Sequence, residues 1–199
     1  VFFYFLIRED HLNSYDFDTI FKKKKIKYKI IIVNEITEGA ACTVLLSFKF
    51  LDKSLPLIVK DCDQIMNWSK ENFLEFISRR ENDGVLVTVP TINPGFSFVE
   101  LKDDMSSVTR TKEKEVVSSF GNTGCYYFKK TSEFEFYTNK MIDKNIRINN
   151  EFYISQVYNE YLLDNKKILH YPIVEIFSIN TPEELGENSK KISAFLKKK

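Results

Sequence analysis

Cysteine, histidine, glycine and proline are all scarce in this chain of 199 residues, which has 3 Cys, 2 His, 6 Gly and 5 Pro. Cys42, Cys62 and Cys125 are odd in number, widely spaced and form no C-x-x-C pair. That argues against a disulfide framework or a zinc cluster and for a reducing cytosol. The two histidines, His11 and His170, cannot build a multi-histidine metal site. So little Gly and Pro excludes a low-complexity or fibrous chain. No charge sign dominates: 29 Lys+Arg against 28 Asp+Glu leave a formal net charge of +1. No global field therefore draws the chain to nucleic acid or anionic lipid. The apolar start Val1–Ile7 is far shorter than the roughly 20 residues that span a bilayer, and it lacks the basic region and cleavage site of a signal peptide. The expectation is a cytoplasmic protein with no membrane insertion and no nucleic acid partner.

What is present is apolar and aromatic: 43% of the chain is hydrophobic, with 18 Phe and 10 Tyr. That is ample surface to bury against chain entropy, so the chain is not disordered. Its length fits one domain over 1–199. Val1–Ile7 reads as a buried strand, and a central strand at the first residue implies a domain short at its amino end.

Further on, apolar strands alternate with helical patterns. Ser14 is placed to cap a short helix through Phe21, and Tyr28–Val33 reads as a strand. Thr37–Ala41 leads into an apolar helix ending near Phe50. Leu57–Val59 is a short strand, and Ser69 caps a helix over 70–80 with Phe73, Phe76 and Ile77 at helical spacing. Val85–Val89 is another strand. This βαβαβαβ order predicts an α/β fold with a mainly parallel sheet and helices on its faces. In the second half, residues 97–101 and 108–111 read as a hairpin and 123–128 as a strand. Residues 134–142 and 152–163 read as helices and 167–174 as a strand. Thr181, Pro182 and Glu184 form a capping box for a last helix. The run Lys22–Lys25 reads as a solvated connection and the terminal Lys197–Lys199 as a frayed end.

The most informative segment is Leu57-Ile58-Val59-Lys60-Asp61-Cys62-Asp63-Gln64, a strand that runs into two carboxylates. Ligands of open α/β sheets bind at the carboxyl ends of strands. Residues two apart in an extended segment point the same way, so Asp61 and Asp63 are placed to face one hard cation such as Mg²⁺ or Mn²⁺. A plain turn uses the same residues. Glu38, Gly39 and Ala40 stand where a strand becomes a helix, and small residues there admit a flat base or a phosphate to the backbone; close helix–sheet packing needs the same residues. Lys114, between Glu113 and Glu115, suits a phosphate or plain surface charge. Asn149, Glu151 and Tyr153 suit hydroxyl recognition or helix capping.

In order along the chain, "TEGAACTVLL", "LIVKDCDQIMNW", "INPGFSFVEL" with "VTRTKEKEVVSS", "GNTGCYYFKK", "INNEFYISQVYNEYL" and "INTPEEL" resemble segments of the sugar-phosphate nucleotidyltransferase family. The resemblance is to the branch of bacterial capsule and lipopolysaccharide biosynthesis. It implies a Rossmann-like three-layer domain that transfers a nucleoside monophosphate from a nucleoside triphosphate to a sugar phosphate and releases pyrophosphate. It implies roles as well. Asp63 would hold Mg²⁺, with Asp61 as helper on the nucleotide side. Glu38, Gly39 and Ala40 would line the base. Lys114 would hold the acceptor phosphate, and Gly124, Asn149, Glu151 and Tyr153 would position the sugar. A homo-oligomer is compatible with this resemblance.

Two departures qualify the resemblance. The family's Gly-rich phosphate loop has no counterpart, since no G-x-G occurs, so weak nucleotide binding and little turnover are expected of this chain. Phe177-Ser178-Ile179-Asn180 carries no acid where many relatives have a second metal ligand. Two other functions fit the same residues. One is a glycosyltransferase using Asp61-Cys62-Asp63 as a metal clamp on its donor, and the other is a non-catalytic homologue.

Overall fold

The computed structural model describes residues 1–197; Lys198 and Lys199, the end of the terminal lysine run, lie outside the described residues. At the amino end, β1 (Phe3–Arg8) pairs in parallel with β2 (Tyr28–Val33), and two short helices, α1 (Glu9–Ser14) and α2 (Phe17–Lys23), connect them. Asp16 rather than Ser14 caps α2, because its carboxylate reaches both the Thr19 amide at 3.1 Å and the Thr19 hydroxyl. β1 is less buried than its composition suggests: Phe5 stacks on Phe21 with ring centroids 4.0 Å apart, but Phe3 stays 42% exposed. β2 is its one strand partner among the described residues.

The main sheet has the order β7 (Val108–Glu113), β6 (Ser97–Leu101), β8 (Phe120–Phe128), β5 (Gly84–Pro90), β9 (Ile168–Pro172), with β3 (Leu57–Lys60) also on β8. It is mostly antiparallel, which corrects the mainly parallel sheet expected from the alternation. Only β5 and β9 run parallel within it. The reason lies in β8, which inserts antiparallel between β3 and β5. Those two strands do run in the same direction, as a βαβ reading requires, yet they are not neighbours. Alternation fixes strand direction; it does not say which later strand slips between.

Helices cover both faces. α3 (Ala40–Leu45), α5 (Thr131–Asp143) and α6 (Ile154–Leu163) bury one face, where Phe128, Phe134, Tyr137, Tyr158 and Tyr161 are 4% exposed or less. α4 (Lys70–Arg79) covers the other face, with Phe73 edge-on to Tyr127 and Tyr171. Alternate residues of β8 serve the two cores, Tyr126 and Phe128 one and Cys125 and Tyr127 the other, as a strand buried on both faces must. A small sheet absent from the sequence reading, β4 (Gln64–Asn67) against β10 (Glu175–Ser178), sits beside the main one. α7 (Pro182–Leu196) follows it, and Thr181 accepts from the Glu184 amide at 3.2 Å as the capping box predicts.

Phe128 is fully buried between Phe134, at 4.6 Å between ring centroids, and Tyr158, at 4.7 Å. Phe128→Ala is expected to lower unfolding free energy by about 3–5 kcal/mol through lost burial and the cavity left behind. Urea denaturation with an unchanged m-value checks this.

Candidate active site

The site forms where β3 ends against the middle of β8 and where β7, two strands over beyond β6, ends. Past the end of β3, the Asp61 amide still donates to Gly124 O at 2.9 Å. β8 is irregular at that point: its register with β5 shifts between Leu86 and Thr88, opposite residues 123–125. Gly124 has φ +64°, and a Cβ on it would lie 2.1 Å from Asp61 Oδ2. Only glycine leaves room for the carboxylate there. The bulge is held by its own bonds, since Asn122 Oδ1 accepts from the Gly124 amide at 2.8 Å and Thr123 Oγ1 donates to Val87 O at 3.0 Å. Lys60 Nζ clips the two strand ends together by donating to Asp61 O at 2.7 Å and Thr123 O at 3.4 Å.

Burial pushes the Asp61 carboxyl up to about 6, with Lys60 opposing the rise and Asp63 adding to it. Asp63 is fixed through its backbone, where its carbonyl accepts from the Ile179 amide at 2.9 Å. Its Oδ1 is buried without a hydrogen-bond partner, as is Gln64 Oε1. An orphaned carboxylate oxygen costs free energy unless something cationic or donating meets it. A hard divalent cation is such a partner, so the residues present fit one. No cluster of three His, Cys, Asp or Glu side chains able to hold a metal occurs among the described residues. A cation at Asp63 would therefore need oxygens from bound substrate. The nearby carboxylate Glu184 is already engaged, accepting from Ser178 Oγ at 2.7 Å and the Asn180 amide at 2.9 Å.

The far wall comes from the end of β7 and the start of α6. Lys114, with φ +55°, donates from Nζ to the Tyr153 hydroxyl at 3.0 Å, a bond that raises the lysine's pKa. Glu113 accepts from Ser155 Oγ at 2.8 Å. Burial raises its carboxyl pKa, Ser155 and Lys114 lower it, and the charges of Asp61 and Glu151 raise it further. Glu113 thus senses both ends of the cleft, which places Asp61, Lys114 and Glu151 in one electrostatic neighbourhood. Tyr126, buried beneath, is raised by burial and by the same Asp61 and Glu113 charges. Glu151 ends a tight turn in which Ile148 and Glu151 exchange backbone bonds of 3.1 and 2.9 Å. Asn149 and Asn150 between them have φ +49° and +65°, values Asn tolerates.

The structure thus joins Asp61, Asp63 and Gly124 past the end of β3, and Lys114, Tyr153 and Glu151 past the end of β7, with Glu113 near enough to feel the charges of Asp61, Lys114 and Glu151. Asn149 stands exposed on the turn. Glu38, Gly39 and Ala40 meet this group through the backbone of Phe152. Its amide donates to Glu38 O at 2.8 Å, and a Cβ at Gly39 would lie 2.5 Å from Phe152 N. The small residue at 39 therefore admits a neighbouring piece of chain. Sequence reasoning missed Lys60, Ser155 and the burial of Glu113. Period-two alternation on β7, with Thr111 and Glu113 on one face, is the signal that carries the last of these.

Because the folded protein holds the Asp61 proton more tightly than the unfolded chain does, stability falls as pH rises from 3.8 to about 6 and stays reduced above that. Asp61→Asn is expected to raise stability by about 2–3 kcal/mol near pH 8 and to change it little near pH 3, where both states are protonated. Thermal unfolding of both proteins across that pH range measures it.

The sequence matches no protein-family model, and no curated protein matches it either. Solved structures do share its fold. A nucleoside-diphosphate-sugar pyrophosphorylase from Vibrio cholerae superposes with a TM-score of 0.78 at 22% identity, over 94% of this chain and 80% of that one. A protein from Bacillus anthracis assigned as a glucose-1-phosphate thymidylyltransferase gives 0.74 at 14%, over 94% and 74%. The inositol-1-phosphate CTP transferase of T. maritima gives 0.74 at 10%, over 98% and 77%. At these identities the likeness is one of fold, and the mixed sheet with helices on both faces that this chain adopts is the fold of those transferases.

Proposed function

We propose that this chain is a nucleotidyltransferase domain that joins a nucleoside monophosphate, taken from a nucleoside triphosphate, to a sugar phosphate or a similarly phosphorylated headgroup, with release of pyrophosphate. The observations that carry the reading are the orphaned buried oxygen of Asp63 and the exposed Lys114 held by the Tyr153 phenol, linked through Glu113, which feels the charges of both Asp61 and Lys114. One end suits a divalent cation and the other an anionic oxygen. The fold shared with sugar-nucleotide pyrophosphorylases and related transferases supports the same reading.

In this reaction an oxygen of the sugar phosphate attacks the α-phosphorus. The new O–P bond forms as the bond from the α-phosphorus to the bridging oxygen of pyrophosphate breaks. The attacking oxygen is already an anion, so no proton must be removed, and the absence of a histidine or an activated serine in the cleft is no obstacle. Alignment and charge neutralisation suffice. Mg²⁺ or Mn²⁺, when bound, would neutralise phosphate charge, and Asp63 with Asp61 would hold it. Lys114 would hold the acceptor phosphate, exchanging its bond to Tyr153 for one to phosphate. Glu151 and Tyr153 would accept and donate at sugar hydroxyls, and Gly124, whose missing side chain seats the Asp61 carboxylate, would act by placing that carboxylate and not by meeting the sugar itself. Both cores share β5 and β8, which supports a single catalytic domain. Among the described residues no helix is long and apolar enough to cross a membrane. The supply of activated sugars for surface polysaccharide is the role this chemistry fits.

Isothermal titration with glucose 1-phosphate and, separately, with Mn²⁺ in the presence of CTP, whose phosphates supply the further oxygens, tests the division of labour. Lys114→Met is expected to weaken glucose 1-phosphate by about tenfold or more, as loss of a charge-assisted bond implies, and to leave Mn²⁺ affinity within about twofold. Asp63→Asn is expected to do the reverse. Equal effects of either variant on both ligands would overturn the assignment.

A further inference from the structure

The loop before α3 and the turn before α6 are joined by more than the backbone contacts of Phe152. Arg147 reaches across from the turn side to Glu38, a residue 109 positions away, and its Nη2 donates to Glu38 Oε2. The same guanidinium donates from Nε to Asn145 Oδ1 at 2.6 Å and from Nη1 to Asn150 O at 3.2 Å. Its Cζ lies over the Phe152 ring, 4.0 Å from the centroid. The side chain is 29% exposed, against 64% for Glu38. One planar group thus ties together Asn145 in the turn after α5, the carbonyl of the Asn149–Asn150 turn, the ring of Phe152 and the loop of Gly39. A lysine could not do this, because its compact ammonium lacks the fork and the stacking plane. An ordinary surface ion pair is worth little. This one differs in using three of the guanidinium's nitrogens in three directions, beside backbone bonds that join the same two segments.

We infer that Arg147 is a positioning residue that locks the nucleotide-side loop at 38–41 to the sugar-side turn at 148–153, so that binding on one side favours binding on the other. The inference rests on the nucleotidyltransferase reading for the identity of the two sides. Physically, the first ligand orders both segments because they are clasped, and the second then meets a site already ordered. Without the clasp each ligand orders its own segment alone. Glu38 accordingly acts through Arg147 and not by direct contact with a base.

Two measurements on the full chain separate this inference from the reading beneath it. The first is amide hydrogen exchange at Phe152 and Ala41, whose N–H groups donate across the clasp at 2.8 and 3.1 Å. Exchange there is expected to quicken at least tenfold in Arg147→Lys and in Glu38→Ala, with amides of β5 unchanged. Unchanged exchange at both amides would overturn the clasp whether or not any ligand binds. The second is the factor by which CTP with Mg²⁺ tightens glucose 1-phosphate, measured by titration. That factor is expected to be about fivefold or more in the parent chain and to fall to one in Arg147→Lys. A coupling factor that survives the substitution would overturn the inference. Binding of neither probe to the parent chain would refute the coupling together with the reading of the cleft, leaving the exchange result to decide the clasp alone.

Discussion

Everything in the cleft hangs on the fit of the Asp61 carboxylate into the space where β8 has no side chain. Gly124 leaves that space by taking a left-handed backbone conformation, and the bulge so formed is held by Asn122 from within the strand. β8 is also the strand on which β3, β5 and β6 all pair. The irregularity that seats Asp61 therefore lies in the most constrained strand of the fold. A bulge in an edge strand could relax; this one is pinned by neighbours on both sides and by aromatic cores above and below. The energy stored in a buried, poorly solvated carboxylate is supported by that rigidity.

The two charges proposed to act on the substrates are positioned in different ways. Asp63 is held through its backbone by the Ile179 amide, just past the end of β10, which leaves its carboxylate oxygen without a partner. Lys114 is held through its side chain by Tyr153, in a backbone conformation that turns it away from the end of β7. Between them Glu113 is paired with Ser155 and senses both Asp61 and Glu151. The site carries four carboxyl groups, Asp61, Asp63, Glu113 and Glu151, against two lysines, Lys60 and Lys114, so it is acidic in a chain whose overall charge is close to zero.

Much of this was legible in the sequence, and the part that was not has a physical cause. The helix caps at Ser69 and Thr181 are local chemistry and stand where the residues put them. The strand at 57–60 leading to Asp61 and Asp63 was equally readable, because a short apolar run meeting two acids is a local pattern. The sheet order was not. β8 is separated from β3 by many residues, and nothing local to either says that it will run antiparallel between β3 and β5. The β4–β10 pair escaped for the same reason. Gly39 shows the limit from another side: its smallness was legible as a close approach, but the partner, the backbone of Phe152, lies far along the chain. Arg147 gave no signal at all, since its importance comes from where the turn places it.

The bond between Lys114 and Tyr153 has a consequence for how tightly an anion can be gripped. A free lysine side chain loses about 2 kcal/mol of rotamer entropy when it is immobilised. Here much of that loss is incurred when the chain folds, because the phenol already holds the ammonium over its own ring, 5.3 Å from the centroid. An arriving phosphate therefore meets a cation with its arm already extended, and it trades one neutral acceptor for a charged one. The tyrosine acts as a placeholder for the ligand, and the readiness of the site is written into the resting protein.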